Sequence, residues 1–102
     1  MTDDTITVTR AEGRYDIHVG DVRAGYTVFR PDSQGRLSFP HTEIDPAFRG
    51  RGLATTLVAD AMADVAARGE TVVPHCPLVS KYLRENEVEG LEIAWPREQH
   101  PE

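Results

Sequence analysis

Two arginines and two glycines, Arg49, Gly50, Arg51 and Gly52, alternate directly before an amphipathic run. Glycine lets backbone approach a ligand closely, and the free N–H groups of a loop that opens a helix lie at the positive end of its dipole. Such a join can hold an anion such as a phosphate. It can equally be an ordinary loop with two solvated arginines. The spacing is not the GxGxxG of a dinucleotide fold, and no Gly-Lys-Ser/Thr follows as in a P-loop. Cys76 is a second candidate, because it stands just before a helical pattern whose N-terminal field favours a thiolate, with His75 beside it. That thiol is either reactive or a small buried residue capping the helix. Neighbours in a strand point apart, which argues against a His75–Cys76 pair. His41 and Glu43 share a strand face if no bulge separates them, as a base and its carboxylate partner do; a histidine beside a bulge can equally serve a backbone group. His18 and His100 carry no distinguishing context. One cysteine with scattered histidines lacks metal-ligand spacing.

The elements that position these residues begin with β structure. "TITVTR" puts Ile6 and Val8 on one face, "RYDIHV" alternates Tyr15, Ile17 and Val19, and "DVRAGYTVFR" alternates Val22, Ala24, Tyr26 and Val28. Glu12-Gly13 and Gly20-Asp21 read as tight turns, so an antiparallel meander follows. After "PDSQGR", the strand "LSFPHTEI" starts with Leu37 and Phe39 on one face, yet alternation sends Ile44 to the other, and Pro40 removes a ladder donor between them. A bulge near Pro40 reconciles both facts. From Leu53 the period changes to helical, with Leu53, Leu57, Val58, Ala61, Met62 and Val65 on one face and Gly69 as the stop. "TVVP" reads as a short buried strand, "CPLVSKYLREN" as a second helix opened by Pro77 with Val79, Tyr82 and Leu83 inward, and "GLEIAW" as a last strand. The order β-β-β-β-α-β-α-β predicts an α+β (α/β) domain: a mostly antiparallel twisted sheet, two main helices and at least one right-handed crossover.

The 102 residues fit one domain spanning 1–102, with a tail over about residues 96–102. A net charge of −6 argues against nucleic acid, since non-specific binding rests on Lys and Arg at phosphates. The local basic spot at Arg49 and Arg51 instead suggests a small anionic ligand. No apolar run has the length of a membrane span, and the acidic, β-prone start lacks the regions of a signal peptide, so an intracellular, cytoplasmic protein is expected.

Together, "HTEIDPAFRGRGLATTLVADAMADVAARG" and the Arg49-Gly50-Arg51-Gly52-Leu53-Ala54 signature within it resemble the central strand, R/Q-x-x-G-x-G/A loop and helix of the GNAT superfamily of N-acetyltransferases. "VVPHCPLVSKYLREN" resembles a short branch of that superfamily related to the YjdJ proteins. The likeness is close from about residue 41 to 86 and holds in outline over the meander. It implies a single-domain GNAT-like fold and transfer of an acetyl group from acetyl-coenzyme A to a primary amine, with no metal. The amides of Arg49, Gly50, Arg51, Gly52, Leu53 and Ala54 would hold the pyrophosphate. Glu43, Ile44 and Asp45 would offer backbone groups to the pantetheine arm at an edge opened by strand splaying. Cys76, Tyr82, His41 and Glu43 are then the candidates for the chemistry. Cys76 would act as nucleophile or proton donor. Tyr82 stands one residue short of the usual thiolate-protonating tyrosine, and is otherwise a core aromatic. The helices that build much of the acceptor site in longer relatives have no counterpart between the first strands, so the amine is unspecified. An alternative of another class is a coenzyme A-binding module without turnover, whose acidic surface meets a protein partner.

Overall fold

The computed structural model describes residues 4–96. His100 and, apart from Pro96, the expected tail lie outside the described residues. In chain order the elements are β1 (Ile6–Ala11), β2 (Arg14–Val19), β3 (Val22–Pro31), β4 (Leu37–Ile44), a 3-10 turn (Pro46–Phe48), α1 (Leu53–Ala67), β5 (Thr71–Pro74), α2 (Pro77–Glu85) and β6 (Glu92–Ile93). The strands form one sheet in sequence order. Pairing is antiparallel from β1 to β4 and parallel across β4–β5 and β5–β6. The last strand is shorter than "GLEIAW" suggests.

Both expected tight turns form, with Ala11 paired to Arg14 and Val19 to Val22. The facing expected for β3 does not survive. Ile17 pairs with Gly25 and His18 with Arg23, which leaves Ala24 as an inserted residue and reverses parity beyond it. Thr27 and Phe29 are therefore buried, whereas Tyr26 and Val28 sit on the opposite face and Val22 is exposed. Gly25 is required beside this bulge: a Cβ there would lie 2.5 Å from the Glu43 carbonyl oxygen and 2.5 Å from Ile44 Cδ1.

One core lies between the sheet and both helices. Tyr15, Phe29 and Phe39 form an aromatic cluster with centroid separations of 5.5 to 6.4 Å. Against it pack Leu53, Leu57, Val58, Ala61, Met62 and Val65 of α1, each contributing roughly 1.5–3 kcal/mol where the side chain is large and fully buried, together with Val79 and Leu83 of α2. Gly69, at φ +70°, ends α1 in a Schellman turn: its N–H donates to Ala66 and that of Glu70 to Val65. A polar clasp joins this end of α1 to the meander. Arg10 forms two hydrogen bonds with Glu70, at 2.8 and 3.2 Å, and the Tyr15 hydroxyl donates to Asp64 at 2.7 Å. Among the described residues, no helix is long and apolar enough to cross a membrane.

Candidate active site

The site starts with a mismatch between the two sides of β4. Its pairing with β3 reaches Ile44, but its pairing with β5 stops at Phe39 opposite Pro74. The break coincides with the bulge the sequence predicts: Arg30 pairs with Ser38 and Val28 with His41, so β4 carries one extra residue around Pro40. Proline lacks the N–H a continuing ladder needs. The Cys76 N–H donates to the Phe39 carbonyl at 2.7 Å and makes the last bond across the fork.

Beyond the fork, residues 41–44 have a strand neighbour on one side alone. Backbone direction alternates along an antiparallel ladder. The Asp45 N–H donates to Ala24 at 2.8 Å, so Glu43 also turns its backbone to β3, while Thr42 and Ile44 turn theirs to the open edge. Of the three residues expected to present backbone groups there, Ile44 faces the opening, and Thr42 is the neighbour the sequence reading missed.

The side chains of this segment split between two faces. His41 and Glu43 lie exposed on the face away from the helices, with Nε2 and Oε1 2.9 Å apart and Tyr26 tilted beside the imidazole. On the inner face, the Cys76 thiol donates to the Thr42 hydroxyl at 3.3 Å, Thr42 and Thr27 share a 2.8 Å bond, and the Thr27 hydroxyl donates to the His41 carbonyl at 3.3 Å. A hydroxyl has one proton, so the direction is fixed: Cys76 to Thr42 to Thr27 to carbonyl. Cys76 holds the N-cap position of α2 and is 3% exposed, but its thiol makes no capping bond. His75 is exposed and has no hydrogen bond to it. The structure thus pairs His41 with Glu43 and Cys76 with Thr42, on opposite sides of one strand.

The glycine loop follows β4 after the 3-10 turn, which Asp45 caps by accepting from the Ala47 N–H at 2.9 Å. Gly50 and Gly52 have φ +82° and +74°, a region that favours glycine, and open space lies over both. Gly52 is the N-cap of α1 and brings no side chain, and the first turn has no acidic residue. The N–H groups of that turn, which a helix cannot satisfy internally, are left for an acceptor from outside. The Arg49 Nε donates to the Ile44 carbonyl at 3.3 Å, and the Arg51 guanidinium lies 5.2 Å over the Phe48 ring. Leu53 is buried, whereas Ala54 and Thr55 line a cavity of about 100 Å³ between α1 and α2, faced by Leu78, Lys81 and Tyr82. Tyr82 is partly buried against the core and borders this groove.

The sheet thus forks beside a glycine loop that opens a helix, the arrangement that the resemblance in the sequence implies. The model of the GCN5-related N-acetyl-transferase family matches residues 14–91, more than half of the chain, and the chain belongs to that family. No curated protein sequence matches the chain. The family carries out acyl transfer, and the α+β architecture is that of a single-domain GNAT-like fold.

Proposed function

We propose that the chain is an acetyl-coenzyme A-dependent N-acetyltransferase acting on a primary amine, within the short YjdJ-like branch of the family. The observation that carries this reading is the early end of β4–β5 pairing beside an uncapped helix N-terminus. The open backbone of Thr42 and the Ile44 N–H, beside an Ile44 carbonyl that accepts from Arg49, suit an extended, amide-bearing arm. Free amides from Gly50 to Ala54, with Arg49 and Arg51 adding charge, suit a pyrophosphate. Coenzyme A carries both groups in one molecule.

Acetyl transfer by direct attack needs a neutral amine and a proton for the departing thiolate. His41, its ring held by Glu43, takes the proton that the amine loses on the outer side of β4. Cys76, on the inner side, gives its proton to the departing sulfur. The N–C bond forms as the C–S bond breaks, and both residues regain their starting charge by exchange with solvent. Tyr82, on the wall of the helix groove, packs against the arm. The acidic chain favours a cationic amine, such as a polyamine or a lysine side chain.

The near-complete burial of Cys76 favours a second reading, a coenzyme A-binding module without turnover, in which the thiol only joins α2 to β4. Calorimetric titration with coenzyme A tests what the two share. Saturable one-site binding is expected, and its absence removes both.

A further inference from the structure

A cavity of about 500 Å³ lies on the β6 side of β5, bordered at one end by Pro74, the last β5 residue paired before the fork. That volume falls within the roughly 300–1,000 Å³ of small-molecule sites. Its walls are the rings of Pro74, Pro77 and Pro96 and the indole of Trp95, and its polar groups come from His75, Ser80 and Arg84. Among the described residues no carboxylate lines it, although the chain carries a net charge of −6.

Arg84 is held in place, and no carboxylate among the described residues neutralises it. Its guanidinium lies 5.0 Å over the Trp95 ring, and its Nε donates to the Ser80 hydroxyl at 3.3 Å, one helical turn earlier. Arg10, Arg14, Arg23, Arg36, Arg68 and Lys81 each pair with a carboxylate. Arg84 does not pair with one among the described residues, and both of its terminal nitrogens remain free to donate. A guanidinium presents a planar, two-pronged donor that matches a carboxylate, and holding it beforehand lowers the entropy lost on binding.

We propose that this cavity binds an organic carboxylate with a flat apolar body, the carboxylate taken by Arg84 and the body lying against Trp95 and the proline rings. The cavity shares no lining residue with the open segment of β4, the glycine loop or the groove between α1 and α2, and the inference does not rest on the acetyltransferase reading.

Trp95 is the single tryptophan of the chain, so its fluorescence reports the cavity directly. The full chain is titrated with phenylacetate and with phenylacetamide, its uncharged analogue. Phenylacetate should give a saturable change and bind at least tenfold more tightly than the amide. Arg84→Gln should bring its affinity down to that of the amide, and saturating coenzyme A should leave phenylacetate binding intact. Equal affinities, no saturable change, or an unaltered Arg84→Gln protein would overturn the proposal, as would competitive displacement by coenzyme A. Should Arg84→Gln fail to fold, the comparison of the two ligands on the unaltered chain decides.

Discussion

The Cys76 thiol donates to the Thr42 hydroxyl at 3.3 Å, tying the start of α2 to β4 just where β4 and β5 part. The bond links residues 34 positions apart. It also makes serine the informative substitute, since a serine hydroxyl can donate to Thr42 in the same way while lacking a thiol's chemistry.

Gly52→Val places a branched side chain where φ is +74° and where the loop must meet a ligand closely. Coenzyme A affinity should fall at least tenfold, about 1.4 kcal/mol. Space over Gly52 is open, so the cost in the free protein is confined to backbone strain of roughly 1–2 kcal/mol. Calorimetry on a protein shown to be folded checks this, and unchanged affinity removes the phosphate-loop reading.

Arg49→Ala and Arg51→Ala should each weaken coenzyme A by less than Gly52→Val, because backbone amides do most of the holding. The loss should shrink as salt screens the charges. Arg49 should show the larger effect, since its bond to the Ile44 carbonyl also sets the open edge. If both variants bind as the parent does at low salt, the two arginines are merely solvated.

Gly25→Ala tests the fork from its other side. The added methyl meets the Glu43 backbone, so β3 and β4 must separate. A stability loss of about 1–3 kcal/mol is expected, with weaker coenzyme A binding in the folded fraction. A Tm equal to that of the parent would contradict the register given for these strands.

Tyr15 is held up at about 12, first by burial and then by its hydrogen bond to Asp64. The folded chain keeps this proton to higher pH than the unfolded chain, whose tyrosines ionise near 10. The stabilisation is therefore complete below about pH 10 and is lost as pH rises through about 12. Asp64 behaves oppositely. The Tyr15 hydroxyl, and then Arg68, hold its carboxyl below the usual range, so its contribution is present above about pH 4 and lost in acid. Spectrophotometric titration should show a late tyrosine ionisation that accompanies unfolding, a step that Tyr15→Phe removes. A titration curve that Tyr15→Phe leaves without loss of a late step contradicts the clasp.

What the sequence made legible was mostly local. The period of α1 identifies all six of its buried residues, and the conflict between Leu37, Phe39 and Ile44 around Pro40 locates the β4 bulge. The bulge at Ala24 leaves no such trace, because Gly25 and Tyr26 break no pattern on their own, and so Phe29 went unassigned to the core. Thr27 and Thr42 read as ordinary strand threonines. Their role depends on a thiol that only the tertiary fold brings to them. The same parity that hides Phe29 decides which backbone groups of β4 face the opening, which is why Thr42, and not Glu43 or Asp45, accompanies Ile44 there.

Release of coenzyme A thiol from acetyl-coenzyme A, followed with and without a panel of primary amines, tests the central claim most directly. The parent protein should release thiol in an amine-dependent way. Cys76→Ser should keep fold and coenzyme A binding but turn over roughly 10²-fold more slowly, the usual scale of a lost proton-transfer group, and His41→Ala should fall on the same scale. Coenzyme A binding without amine-dependent release from any amine, or full turnover per folded molecule in both variants, would contradict the account.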